Sequence, residues 1–314
     1  MSRSLGVAPR IVVLGSSNTD LTVRVPRLPR AGETVLGDAL VTAAGGKGAN
    51  QAVAAARAGG AVTFIARLGR DAFGAQARRG LEAEGIDVRF VGSDARQPSG
   101  VALICVAKSG ENSIAVAGGA NGKLAAADVV RARTAIRAAA VLVVQLEVPL
   151  AAVAAGVRLA SEHSVPVILN PAPAQRLERA LLRRVTILTP NEHEATTLTG
   201  ARDPKRAARA LLAAGVGTVI VTLGARGAWL ASRGGEELIP AFPVRARDTT
   251  AAGDVFNGAL AVALAEGRPL PAAARFANAA AALSVTVLGA QPSVPNRPAI
   301  ERLLSQHPMR MTRR

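Results

Sequence analysis

The chain has 314 residues, 49% of them hydrophobic, enough for a large core in one big α/β domain or two smaller ones. Its net charge of +16 invites a nucleic-acid reading, yet only Lys47, Lys108, Lys123 and Lys205 are lysines, the arginines are scattered, and aromatics are 2% with no tyrosine. There is no dense basic block beyond the short MRMTRR tail and no platform for stacking bases, so specific nucleic-acid binding is not expected.

A single cysteine, Cys105, excludes an internal disulfide and fits a reducing compartment. His163, His193 and His307 lack metal-ligand spacing, so no zinc cluster is expected. The opening MSRSLGVAPR carries no apolar leader core, and the apolar runs elsewhere are short or broken by charge and glycine. The expectation is a soluble, cytoplasmic protein.

In chain order, a tail over 1–10 precedes a strand at Ile11–Gly15. Leu21–Val25 and Thr34–Thr42 read as an extended pair joined by the turn-rich PRLPRAGE. Ala49–Ala58 reads as a helix, Val62–Leu68 as a strand and Phe73–Glu84 as a helix. Gly100–Lys108 and Ser113–Ala117 form a second extended pair through SGEN. Helix Ala126–Ala139, strand Val141–Gln145, helix Leu150–Glu162 and strand Val165–Asn170 follow. Next come strand Val185–Thr189, helices Glu192–Thr199 and Arg206–Ala213, and strand Thr218–Leu223. Gly227–Ser232 and Glu236–Pro240 read as a hairpin, on which Trp229 is assigned to packing. The last third is mostly helical, over Ala252–Glu266, Leu270–Thr286 and Arg297–Ser305, before a basic tail at 306–314.

Strands alternating with helices predict βαβ units and a largely parallel sheet covered on both faces. The two extended pairs, about 21–42 and 100–117, lack an intervening helix and are expected to form one antiparallel sheet projecting as a lid. With no linker or internal repeat, one domain over 11–305 is preferred to two.

Three constellations carry chemistry. In DTTAAGD, Asp248 to Asp254, small residues let backbone N–H groups converge where a helix begins, which suits a phosphate. A carboxylate beside that spot repels the anion, so Asp254 makes sense as a base for an attacking hydroxyl; read alone, it serves equally as a helix cap. In AAGGKGANQAVAAARAGG, Ala43 to Gly60, the glycines bring backbone close to a ligand while Lys47 and Asn50 offer donors at a helix mouth. Neither GxxxxGK[ST] nor GxGxxG is present, and a glycine turn before an alanine helix explains the string as well. Finally, Asn18 and Asp20, Glu147, Asn170 and the TPNEHE stretch each follow a predicted strand, where open α/β sheets place ligands. Each alone is an ordinary turn former. Together, acids and amides at four strand ends are what a polyhydroxylated sugar demands.

GGKGANQAVAAARAG and DTTAAGDVFNGAL resemble the two signatures of the ribokinase-like (PfkB) carbohydrate kinases. NTD, AGET, QLE, NPAPA, TPNE, TLGARG and GAQPSVP recur in the family's order, so the resemblance runs from about Ile11 to Leu304. It implies a three-layer α/β/α fold with a largely parallel central sheet, plus a small β-sheet lid that also makes a homodimer contact. The implied activity is ATP-dependent phosphorylation of the 5-hydroxyl of D-ribose; 2-deoxyribose, other furanoses or nucleosides are the rivals, and a non-catalytic sensor the rival of another class.

Carried over residue by residue, the sugar site comprises Asn18, Thr19, Asp20, Gly46, Lys47, Gly48, Ala49, Asn50, Glu147 and Asp254. Asp254 is the implied base, and Ala251, Ala252 and Gly253 the anion hole. ATP contacts fall on Asn191, Thr222, Leu223, Gly224, Ala225, Arg226, Gly227, Gly253, Asp254 and Asn278. Asn191 and Glu194 match an NxxE motif that organises Mg²⁺, largely through water. A K⁺ site maps to Asp248, Thr250, Ser284, Val287, Gly289 and Ser293, several through backbone carbonyls. Ala251 stands where many members have glycine, which backbone donors tolerate. Cys105 is read as an apolar filler, and His193 as solvent-facing with no role.

Overall fold

A computed structural model describes residues 8–308; most of the basic C-terminal tail and of residues 1–10 lies outside the described residues. The first third comprises strands β1 (Arg10–Leu14), β2 (Asn18–Val25) and β3 (Val41–Gly45), helix α1 (Lys47–Arg57), β4 (Ala61–Gly69), α2 (Ala72–Ala83), β5 (Asp87–Asp94), β6 (Gly100–Ala107) and β7 (Asn112–Ala117). Next come α3 (Ala126–Arg131), α4 (Arg133–Arg137), β8 (Val141–Val144), α5 (Leu150–Glu162), β9 (Val167–Leu169), α6 (Arg179–Leu182), β10 (Ile187–Leu188), α7 (Glu192–Thr199) and α8 (Pro204–Ala213). The chain continues through β11 (Thr218–Thr222), β12 (Ala228–Ser232), β13 (Gly235–Ile239), α9 (Ala252–Ala265), α10 (Leu270–Ser284) and α11 (Arg297–Gln306).

Nine strands form the main sheet in the order β13-β12-β11-β10-β9-β8-β1-β4-β5. Its pairings are parallel except for the antiparallel hairpin of β11, β12 and β13 at one edge. The central strands are β-branched and buried on both faces, as helices on both sides require. Alternation divides the core: Ile11, Val13, Phe64 and Ile220 pack on one side with α1, α9 and α10. Val12, Leu14, Ile65 and Val219 pack on the other with α3, α5 and α8. The result is the three-layer arrangement expected.

A second sheet has the order β3-β2-β6-β7. Here the expectation of an all-antiparallel lid fails, because β2 and β6 run parallel from Asn18 beside Gly100 to Val25 beside Ala107. The long excursion through β3, α1, β4, α2 and β5 supplies the crossover that parallel neighbours need. The segment 34–42 is not a strand for most of its length either; β3 begins at Val41, and only Asp38 N–H reaches the β2 backbone, at Arg24 O (2.8 Å). β2 starts at Asn18, so Asn18 and Asp20 stand on a strand of the second sheet rather than in a loop after β1.

Three further differences are local. The expected helix 126–139 breaks at Ala132 (φ −90°, ψ 9°) into α3 and α4. The strand β5 escapes sequence reading because DVRFVGSD is charged and half-exposed, as an edge strand is. Strands β8, β9 and β10 stop before Gln145, Asn170 and Thr189, leaving those polar residues just past their ends. Among the described residues no helix is long and apolar enough to cross a membrane.

Candidate active site

Helix α9 begins where the phosphate-binding string was placed. Its N-cap is Ala251, held left-handed at φ 59°, with no side chain to cap the first turn. The amide of Ala252 makes only a 3.3 Å bond to Thr249 O. A Cβ on Gly253 would meet nothing within 4 Å, so the backbone there faces open space. A helix mouth of this kind carries about half a positive charge and uncapped donors. Ala251, Ala252, Gly253 and Asp254 line a cavity of about 200 Å³, with Lys47, Asn170, Thr189, Asn191, Glu194, Thr222 and Asn257.

Asp254 is buried and its carboxylate is held from α1: Asn50 Nδ2 donates to Oδ2 (3.0 Å) and Gln51 Nε2 to Oδ1 (3.0 Å). The two helices touch because of Gly258, one turn beyond Asp254. A Cβ on Gly258 would lie 2.6 Å from both Gln51 O and Ala54 Cβ. Burial pushes the Asp254 carboxyl up and Glu147 adds to this, while Lys47, Asn50 and Gln51 pull it down.

Gly46, at φ 88°, lets the chain pass the backbone of Ser17 and Asn18 and turn into α1, with a hypothetical Cβ only 2.6 Å from Asn18 N. The turn seats Lys47 among carboxylates. Burial works against its ammonium, but Asp254, Glu147 and Glu194 outweigh it and hold its pKa above the usual lysine value. Glu147 Oε2 accepts from Ser16 Oγ (2.5 Å) and from Lys47 N–H (3.0 Å), which ties the end of β8 to the β1 loop and to α1. Asp20 is pushed up to about 6 by burial, then by Glu147 and Asp254. Asn18 Oδ1 accepts from Asn121 Nδ2 (2.7 Å), and Asn121 also clasps the Ser17 backbone (3.0 and 3.1 Å). Thr19 is buried beside Asn18 on β2, and Gly48 and Ala49 lie buried in the first turn of α1.

Asn191 and Glu194 form a capping box on α7: Asn191 Oδ1 accepts from Glu194 N–H (2.8 Å) and Glu194 Oε2 from Asn191 N–H (2.9 Å). Both still line the cavity. Burial pushes the Glu194 carboxyl up against the pull of Asn191 and Lys47. Among the described residues no cluster of three or more His, Cys, Asp or Glu is disposed to hold a metal. One carboxylate still fits a magnesium ion, which keeps most of its waters.

Of the remaining nucleotide positions, Thr222 lines the cavity, bridged to Asn191. Leu223 is buried, Gly224–Arg226 form a tight helical turn, and exposed Ala225 and Arg226 project there, Arg226 pairing with Glu192 at 2.5 Å. Gly227 is explained by packing, since a Cβ would stand 2.1 Å from Ile239 O. Asn278 spends both N–H groups on the carbonyls of Ile239 (3.0 Å) and Pro240 (3.2 Å), clamping the exit of β13, and does not line the cavity. His193 is exposed, as expected.

Asp248 joins two loops, accepting from Thr250 N (2.9 Å) and Oγ1 (2.6 Å) and from Gly289 N (2.8 Å). Burial opposes its charge, but these bonds hold its carboxyl below the usual range. Ser284 and Ser293 turn their hydroxyls onto the carbonyls of Ala281 and Ala290, and the Ser284 carbonyl accepts from Val287 N–H. The donors are carboxylate and backbone oxygens, a chemistry that suits a hard cation.

Sequence reasoning missed Ser16, Gln51, Asn121 and Asn257. Each is completely or almost completely buried, which nothing in the surrounding sequence records.

Most of the chain matches known proteins. The model of the pfkB family carbohydrate kinases covers residues 8–297. A ribokinase of Haemophilus influenzae is 44% identical over 292 residues, 91% of this chain and 95% of that protein. A deoxyribokinase of Salmonella typhimurium is 38% identical over 292 residues, 91% and 95% respectively. Among solved structures, Arabidopsis thaliana ribokinase complexed with ribose and ATP superposes with a TM-score of 0.87 at 36% identity, over 95% of this chain and 99% of that one. The chain belongs to the pfkB family of carbohydrate kinases. It is an ATP-dependent sugar kinase.

Proposed function

We propose that the protein phosphorylates the 5-hydroxyl of D-ribose with ATP, giving ribose 5-phosphate and ADP, and that Asp254 is the base. The observation that carries this is one buried carboxylate at an uncapped helix mouth, steadied by two amides and faced by one ammonium. Asp254 takes the proton of the sugar hydroxyl as its oxygen attacks the terminal phosphorus. The backbone N–H groups at Ala251–Gly253 and the start of α9 meet the charge growing on the transferring group. Asn18, Asp20, Lys47, Asn50 and Glu147 hold the other hydroxyls. The turn 222–227, with Asn191, holds the nucleotide, and Asn278 supports that side from behind through its clamp on Ile239 and Pro240. Asn191 and Glu194 would hold Mg²⁺ through water, which neutralises phosphate charge. Asp248 and Thr250, with Ser284, Val287, Gly289 and Ser293, would hold K⁺ beside the helix mouth.

We read residues 11–305 as one cytoplasmic kinase domain, with the second sheet as a lid that excludes water and as the surface of a homodimer. The strand register supports the last point. It puts Val41, Ile114 and Val116, each more than half exposed, on the lid face that also carries Asp20.

Ribose is preferred to 2-deoxyribose because of Asn18. With Asn121 on its oxygen, the Asn18 amide keeps N–H groups to donate to a 2-hydroxyl. A site built for that hydroxyl rejects the sugar lacking it, so kcat/KM on 2-deoxyribose is expected to be lower by about 100-fold or more. Comparable values for the two sugars would reverse the choice. A coupled ADP-release assay over a sugar panel, with and without K⁺, tests the whole reading. No sugar-dependent ADP release would leave a non-catalytic sensor as the better account.

A further inference from the structure

Behind Asp254, Gln51 heads a run of buried amides that reaches back to the ends of three strands. Gln51 is fully buried on α1. Its Nε2 donates to Asp254 Oδ1 (3.0 Å) and Asn170 Oδ1 (3.2 Å), and its Oε1 accepts from Gln145 Nε2 (2.6 Å). Asn170 in turn donates to Thr189 O (3.1 Å). Both N–H groups and the oxygen of Gln51 are thereby occupied, so the carboxamide has one orientation. Gln145 fits only because Gly15 follows β1: a Cβ there would stand 1.9 Å from Gln145 Oε1.

A hydrophobic filler would serve packing better, since each buried amide costs stability unless its bonds are made. The run starts at the ends of β8, β9 and β10 and converges on a single oxygen of Asp254. Gln51 does not line the cavity, whereas Asp254 does.

We propose that Gln51 is a positioning residue for Asp254. Anchored by Gln145 and Asn170, it fixes one carboxylate oxygen so that the other is presented to the sugar hydroxyl. This rests on Asp254 being the base. Gln51 also stabilises the ionised carboxylate, alongside Lys47 on α1 and against Glu147 past β8, Asp20 on β2 and Glu194 on α7.

The test is Gln51→Met, which keeps length and helix propensity but cannot donate. A positioning role predicts kcat lower by about 10- to 100-fold with the ribose KM within about threefold. The acid limb of the kcat–pH profile should move up by about one unit, because the carboxylate loses a donor. A folded Gln51→Met with kcat within about threefold of the parent and an unmoved acid limb overturns the proposal, as does a lowered melting temperature alone. Should that variant not fold, Gln145→Met, which leaves the Gln51–Asp254 bond but frees its anchor, decides in the same way: kcat falls several-fold at constant KM, or the proposal is wrong. Asp254→Asn is measured beside them. If it is fully active, the base assignment itself fails; if it is inactive while Gln51→Met is normal, only the positioning role fails.

Discussion

Asp20, Glu147 and Asp254 repel one another around the entrance of α1, and Lys47 is a cation that faces them. The consequence is clearest at Asp20, whose carboxyl is pushed up to about 6 in the folded protein by burial and the other two acids. Relative to the unfolded chain, the stability linked to this group is fully present below its ordinary value of 3.8 and lost as pH rises through about 6. Asp20→Asn removes that loss, so the ligand-free variant should be the more stable of the two above pH 6, by about 1–2 kcal/mol, and no more stable than the parent near pH 4. Urea denaturation at the two pH values checks this. The same variant should bind ribose poorly, since an acceptor for its hydroxyls is gone. Site function thus costs stability here, as buried like charges do. Asp254, Lys47 and Glu147 were legible in the sequence because glycine strings and a strand end announce them, whereas Asn18 stood out on a mistaken ground, since it begins β2 instead of ending β1. Gln51 was not: a glutamine in an alanine-rich helix looks like a solvent-facing residue until the partner helix is in place.

The element that makes the site is the α1–α9 crossing. Sequence shows two alanine-rich helices, each with a glycine-rich entrance, but not that they meet at Gly258 or that the meeting brings Asn50 and Gln51 to Asp254. Adding one methyl there forces backbone apart, because Gln51 O lies 2.6 Å from the new carbon. Gly258→Ala is therefore expected to lower stability by about 1–3 kcal/mol and to cut kcat, while the same change at Gly253, which faces open space, leaves stability within about 0.5 kcal/mol. Thermal melts of the two variants separate these outcomes. At the head of α9, Ala251 is held in the left-handed region, where glycine would sit without strain. An alanine at φ 59° costs about 1 kcal/mol that glycine avoids. The second sheet shows the limit of local pattern. Its strand segments could be read, but whether β2 and β6 run parallel depends on the path between them, which no periodicity records.

For the whole molecule, alternation of strands and helices was sufficient to anticipate three layers, since β-branched runs buried on both faces admit few arrangements. The surplus of arginine finds structural use. Arg57 pairs with Glu84, Arg67 with Asp94 and Asp128, and Arg297 with Glu266 and Glu301, each fixing segments distant in sequence or the end of a helix. The face of the second sheet that carries Val41, Ile114 and Val116 is the larger-scale feature with a consequence. If two copies pair through it, Ile114→Lys with Val116→Lys should turn a dimer into a monomer in sedimentation velocity, raising the ribose KM by letting water into the site. A parent protein that sediments as a monomer at assay concentration would show that the active species is not a dimer.

The proposed phosphoryl transfer turns on whether the Asp254 carboxylate moves the proton. The direct measurement is the turnover of Asp254→Asn with ribose and ATP, read beside its ribose affinity by calorimetry. A fall in kcat of about 10²–10⁴-fold, with the dissociation constant for ribose changed by less than about fivefold, is the predicted result. Turnover near that of the parent protein would contradict it.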